Sequence, residues 1–260
     1  MPKAKIAGIG MNVPDRIVTN DDLSKLMDTS DEWIQARTGI QRRRYAEEGT
    51  YTSELAVPAV ERALDDAGLT KKDIDHILFA TLSPDHHFPG AGCYMQARLG
   101  MEGVGVMDIR NQCSGFLYGM GVATAYVQSG AFKNVLLVGA EIHSHALELT
   151  TEGRNVAVLF GDGAGAAVIS AADDDEASEI GSYHLYADGR FADSLAQKVW
   201  DISQNPFIQH EGVTGQVNPE LLWARMNGRE VFKYATRGML GAIMEACAKN
   251  GLSPQDIDLV

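Results

Sequence analysis

Cysteine is scarce: Cys93, Cys113 and Cys247 are the only three in a chain of 260 residues. Their odd number and wide spacing exclude a disulfide framework and a cysteine-based zinc site, and fit a reducing compartment. Basic residues are in deficit. Lys and Arg number 22 against 35 Asp and Glu, a formal net charge of −13, which argues against nucleic acid as the main partner. No run approaches the roughly 20 apolar residues that a membrane-spanning helix needs. The start, "MPKAKIAGIG", has a short apolar run but neither the h-region nor the cleavage site of a signal peptide. A cytoplasmic location is therefore expected. No metal is expected either, because His86 and His87 are adjacent, diverge, and have no evident third ligand.

What is present is an ordinary globular composition, 45% apolar and 22% charged, arranged as a repeat. "GLTKKDIDHIL" begins at Gly68 and "GLSPQDIDLV" at Gly251, each after an alanine-rich helix. Both read as a left-handed glycine cap, a polar turn and an Asp-Ile-Asp leading into a strand. The first copy continues through "HILFATLS", a helix near 90–98, the strand "VGVMDI" (104–109), a helix over 115–129, and the strands "NVLLVGA" and "GAGAAVIS". That alternation predicts an α/β fold with a doubly wound sheet. The second copy stops at the start of its strand, at Ile257, Leu259 and Val260. One complete half over 1–172 and the beginning of another over 177–260 are expected, joined by the acidic run "SAADDDEAS" (170–178).

Chemistry concentrates in "VGVMDIRNQCSGFLYGMGVATAYVQSGA" (104–131). Cys113 falls at the turn from a strand, read as central, into a helix that is apolar or small on almost every face and so expected to be buried. A helix N-terminus favours a thiolate, and strand-to-helix elbows present nucleophiles. A buried structural cysteine is the alternative. Gly115 is expected to leave room for a substrate, and Gly119 and Gly121 to permit close packing. Cys93 and Cys247 read as core. His143 and His145 follow a strand and could line a cleft, but no histidine is marked as a base for Cys113. "FGDGAGAAVI" (160–169) lacks the phosphate-binding pattern and reads as a tight loop into a strand, with Asp162 making local bonds.

Several stretches together resemble the β-ketoacyl-acyl-carrier-protein synthase III family, the initiating condensing enzymes of type II fatty acid synthesis in the thiolase superfamily. They are "DTSDEWIQARTGIQRR" (28–43), "HHFPGAGC" (86–93), "NQCSGF" (111–116), "EGRNVAVLFGDGAGAAV" (152–168), "LYADGR" (185–190) and "MNGREVFK" (226–233). The resemblance implies duplicated αβαβα layers, with the N-terminal half complete and the C-terminal half incomplete. It makes Cys113 the nucleophile that takes an acyl group from acyl-CoA for condensation with malonyl-acyl-carrier protein. By the same resemblance Trp33 stacks on the adenine of coenzyme A, with Thr29, Arg37 and Arg154 nearby. Alone, "DEW" would read as a capped surface helix with a packing tryptophan. Phe160, Phe232 and Gly228 match positions near the acyl and pantetheine tunnel. Phe88 matches a residue that reaches across a homodimer interface.

Coenzyme A enters as a substrate thioester, and no resident cofactor is implied. For the acidic carrier protein, "RRR" (42–44), Lys233 and Arg237 are candidate docking residues, with Lys233 the better match; "RRR" also reads as a solvated charge run. The chain departs from the family at "NQCSGF" and in 191–222, which reads as a long loop, so acyl-chain preference is left open. The family's His-Gln-Ala-Asn run and a later asparagine would lie beyond Val260. A chain ending there is expected to load Cys113 without condensing. The competing readings are a condensing enzyme of secondary metabolism or long-chain ketone formation, and a non-catalytic acyl-CoA-binding homologue.

Overall fold

The computed structural model describes residues 3–172, 178–203 and 219–259. In chain order the elements begin β1 (Lys3–Asn12), β2 (Ile17–Thr19), α1 (Asn20–Ser24), α2 (Asp31–Thr38), β3 (Arg42–Arg44), α3 (Thr52–Ala67), β4 (His76–Ala80) and α4 (Ala91–Leu99). They continue with β5 (Gly105–Ile109), α5 (Gly115–Gln128), β6 (Asn134–Glu141), α6 (Arg154–Ala157) and β7 (Gly163–Ala172). The last are β8 (Leu195–Ala196), α7 (Pro219–Leu222), β9 (Arg225–Met226) and α8 (Gly228–Lys249).

Five strands form one sheet in the order β1-β7-β6-β4-β5. β4 is parallel to β5 and β6, while β7 runs antiparallel to β6 and β1. Alternation along each strand divides the core in two. Ile77 and Phe79 of β4, with Leu136 and Val138 of β6, pack under α3 and α4. Leu78, Val135 and Leu137 pack on the other face, under α5. Both faces are covered, which is why "HILFA" and "NVLLV" are almost continuously apolar. Each fully buried side chain of this size contributes about 2 kcal/mol.

Several expectations change. β5 is not central: among the described residues it is the open edge of the sheet, and its residues are exposed or half-buried. α5 is buried on one side only. Gly115, Gly119, Ala123 and Val127 are covered, but Leu117 is 60% exposed. The small residues do permit close approach, since a Cβ on Gly119 would lie 2.4 Å from Leu137 Cδ1, and one on Gly121 would lie 3.1 Å from the Tyr183 ring. Cys247 is buried, as expected, but Cys93 is exposed. α4 turns Ala91, Gly92 and Met95 inward, which puts Cys93 on its outer side.

The run 42–44 is not uniformly solvated: Arg42 is exposed, Arg44 half-buried and Arg43 buried. Arg43 is buried, and its guanidinium donates to Asn20 Oδ1 (2.8 Å) and the Val158 carbonyl (3.1 Å). Asn20 in turn donates to Asp31 Oδ1 (2.8 Å) and the Ile40 carbonyl (2.7 Å). Burial pushes the Arg43 pKa down, and these charge-assisted bonds, about 1.5–3 kcal/mol each, offset the desolvation.

The two copies of the repeat fold alike. Gly68 and Gly251 are left-handed, at φ 64° and 67°. A reciprocal capping box follows each, Thr70 with Asp73 and Ser253 with Asp256, around a short 3-10 turn. The first copy enters β4. The strand expected from Ile257 is not formed over 257–259, since a strand exists only through a paired neighbour. Val260, residues 173–177 of the acidic joint and 204–218 of the expected long loop lie outside the described residues. The rest of 191–222 is not one loop, because β8 pairs with β9 and α7 spans Pro219–Leu222.

Candidate functional site

Between β5 and α5 the chain turns sharply. Asn111 sits at φ −137°, ψ 35°, and Gln112 takes a left-handed φ of 45°. Gln112 is the only non-glycine residue with positive φ among the described residues, a conformation that costs on the order of 1–2 kcal/mol. Cys113 follows in the 3-10 turn Gln112–Ser114 and is exposed. The cysteine is therefore not the buried structural kind. Ser114 holds the N-cap position of α5 but makes no side-chain cap bond. Its hydroxyl donates to the Asn111 carbonyl and accepts from Asn111 Nδ2, both at 3.1 Å. Gly115 is buried, and a Cβ there would lie 3.2 Å from the Ala80 Cβ. It serves packing against β4 rather than the open approach expected.

The turn lies at the carboxyl ends of the parallel strands β4, β5 and β6, where α/β sheets bind ligands. Two buried or half-buried acids hold the neighbouring loops. Glu141 accepts from Leu82 N (2.9 Å), Ser83 N (3.2 Å) and Ser83 Oγ (2.6 Å). Asp162 accepts from Ala46 N (2.7 Å), His143 N (2.8 Å) and Ser144 N (2.9 Å). The bonds of Asp162 are thus long-range, not local.

A second cluster forms around Trp33. Ser30 caps α2 by accepting from Trp33 N (3.1 Å). Two guanidiniums stand over the indole, Arg37 with its Cζ 4.2 Å from the ring centroid and Arg154 at 5.1 Å. Arg154 is held by the Asp28 carbonyl and by the Asp28 carboxylate, 3.6 Å away. Asp28 N donates to Thr151 Oγ1 (2.9 Å), tying the two segments together. Thr29 Oγ1, beside them, is buried without a hydrogen-bond partner. The structure brings Thr29, Trp33, Arg37 and Arg154 into one place from segments far apart in sequence. Trp33 and Phe160 pack against the same apolar cluster, which includes Ile34, Val156 and Val158.

The other candidates are more dispersed. Phe160 meets the His143 ring at 5.0 Å. His145 lines two open cavities, of about 850 Å³ and 330 Å³, but none of the candidate residues does. His86 packs between the Tyr51 and Tyr94 rings while His87 meets Trp200, so the pair diverges. Phe88 is 80% exposed and Phe232 71%. Gly228 opens α8, with Asn227 as its cap. Lys233 and Arg237 are exposed on α8, one turn apart. Arg229, a turn earlier and also exposed, completes a basic stripe at four-residue spacing. Sequence reasoning missed Arg229, although that spacing was the available signal.

Residues 107–189 match the family model described as 3-oxoacyl-[acyl-carrier-protein (ACP)] synthase III. The chain is 43% identical to the β-ketoacyl-[acyl-carrier-protein] synthase III of Roseiflexus sp. (strain RS-1), over 99% of this chain and 75% of that protein. The crystal structure of the enzyme so named from Thermus thermophilus superposes with a TM-score of 0.85, at 39% identity, covering 98% of this chain and 75% of that one. The priming β-ketosynthase of the R1128 polyketide pathway gives the same TM-score at 30% identity, covering 99% and 74%. With identity of this order along almost its whole length and a shared fold, the chain belongs to the β-ketoacyl-[acyl-carrier-protein] synthase III family of condensing acyltransferases.

Proposed function

We propose that Cys113 is the acyl-carrying nucleophile of a condensation that initiates fatty acid synthesis. The observation that carries this is the exposed thiol at the tip of a strained strand-to-helix turn. In the first step the Cys113 sulfur attacks the carbonyl of an acyl-CoA thioester, and coenzyme A leaves as its thiolate. In the second, which draws on the histidine and asparagine that the family resemblance implies outside residues 1–260, malonyl-acyl-carrier protein loses carbon dioxide, its carbanion attacks the acyl-cysteine, and the cysteine thiolate is released with a 3-oxoacyl product.

Trp33 with two arginines near its ring suits the adenine and phosphates of coenzyme A, and the unpartnered Thr29 hydroxyl is free to bond to the same ligand. The acyl-CoA is the substrate and no resident cofactor is invoked. Phe160, Phe88, Phe232 and Gly228 border the acyl and pantetheine path in this reading. The basic stripe of α8 docks the acidic carrier protein. The open edge at β5 and the exposed Phe88 support a homodimer; sedimentation at twice 28.1 kDa checks it. The enzyme works in the cytoplasm, and its two halves divide near residues 172–177.

Intact-mass measurement after mixing with acetyl-CoA tests the central assignment. One acetyl adduct on the wild type and none on Cys113→Ala is expected; an adduct that persists in the variant would overturn it. A second reading, priming of polyketide synthesis, is favoured by the R1128 structure. A panel of acyl-CoA primers and carrier proteins, read by product mass, separates the two.

A further inference from the structure

The turn that carries Cys113 is closed by one side-chain clasp. Asn111 uses its backbone carbonyl as acceptor and its side-chain Nδ2 as donor on a single hydroxyl, that of Ser114, at 3.1 Å each. The clasp spans Gln112 and Cys113 and closes them into a small ring. Gln112 is held at φ 45° and Ser114 at φ −91°, ψ 0°, so the residues on either side of Cys113 occupy sparsely populated backbone wells. Such a conformation persists only where its surroundings over-determine it. On the helix side the surroundings are Gly115, wedged against Ala80. On the strand side, the clasp ties the turn together across Gln112 and Cys113.

The serine has a second option. A serine at an N-cap ordinarily accepts from a first-turn N–H of its helix. Ser114 does not, because Asn111 holds its hydroxyl turned back. Without that tie the hydroxyl is free to cap α5, and the ring around Cys113 opens.

We propose that Asn111 and Ser114 are positioning residues that, through the strained Gln112, hold the Cys113 sulfur in its attacking direction. This rests on Cys113 being the nucleophile. The clasp acts on the sulfur's placement and not on capture of the nucleotide end, which is gripped at Trp33. Its loss therefore lowers the rate of acyl transfer and leaves substrate binding in place. Gln112 makes a separate prediction. Glycine at this position relieves the left-handed strain and loosens the turn, so Gln112→Gly gains stability while it loses rate.

The test is single-turnover acylation of the full chain by acetyl-CoA, read by intact mass, with thermal unfolding of each variant. Asn111→Ala and Ser114→Ala should each slow the maximal rate by about tenfold, as misalignment of a reacting atom does, with half-saturation within about twofold. The double variant should be no slower than Ser114→Ala, since that variant already loses both bonds, whereas Asn111→Ala loses the amide bond and keeps the backbone carbonyl. Ser114→Thr, which keeps the hydroxyl, should restore the rate. Gln112→Gly should melt at the wild-type temperature or above it, yet react more slowly. Wild-type rates in both alanine variants, losses that multiply in the double variant, or a weakened half-saturation at unchanged maximal rate would each overturn the proposal. Cys113→Ala keeps the two ideas apart. If that variant is still acylated, the nucleophile assignment fails and the clasp falls with it. If it is inert while Asn111→Ala is unimpaired, the clasp alone falls.

Discussion

At the scale of single residues, two side chains make opposite demands on water. Trp33 is half-buried with two cations over its ring, so its face suits a flat, electron-rich base. Trp33→Ala should raise the half-saturating acyl-CoA concentration about tenfold, the equivalent of roughly 1.4 kcal/mol, with little change in maximal rate; initial-rate kinetics decide it. His76 is instead pressed into an aromatic nest, stacked on Phe132 at 4.7 Å and edge-on to Tyr126, and its Nε2 is buried without a partner. Desolvation lowers its pKa. The folded state therefore binds this proton less readily than the unfolded chain does, and the stability of the neutral form is lost as pH falls below about 6.5, the ordinary histidine value. Urea midpoints at pH 7.5 and 5.5 should differ in that direction, and His76→Phe should shrink the difference. Residues of this kind show how far the sequence could be read. Trp33 and Arg37 share a motif, and Arg154 joined them only by resemblance. Arg43 and Asp162 were misjudged, because their partners lie across the fold and no local pattern names them.

The elements owe their places to periodicity and to a few contacts that permit no Cβ. β4 and β6 were legible because both faces of each strand are apolar, and the ends of α3 and α8 because glycine takes the left-handed cap. β5 was misplaced, since a short apolar strand reads alike at an edge or a centre. α5 was over-buried for a related reason: small and apolar residues on all sides do not say which side has a neighbour. Along β1 the fit is backbone to backbone. A Cβ on Gly10 would lie 2.1 Å from the Ala59 carbonyl oxygen, and one on Gly8 would lie 2.4 Å from Ala67 N. Relief would need β1 and α3 to separate. Gly10→Ala should cost about 3 kcal/mol or more, seen as a lowered denaturant midpoint, whereas Gly165→Ala, with open space around it, should cost far less.

The whole molecule carries a charge of −13, yet its α8 displays Arg229, Lys233 and Arg237 along one exposed line. An acidic carrier would be repelled by the protein at large and attracted to that line, so in the proposed docking, encounter would be steered by position more than by total charge. Lys233→Glu with Arg237→Glu should raise half-saturation for malonyl-carrier protein severalfold and flatten its salt dependence, while acylation by acyl-CoA stays near the wild-type rate; paired assays of the two steps check this. The sheet has one more consequence, for synthesis. Lys3 pairs with Ala172, so the first strand of this sheet to be made is joined by the last. At about 5–20 residues per second, β1 leaves the ribosome on the order of ten to thirty seconds before β7 exists to receive it. Its glycine-faced contact with α3 forms sooner, which gives the newborn strand a shelter while it waits.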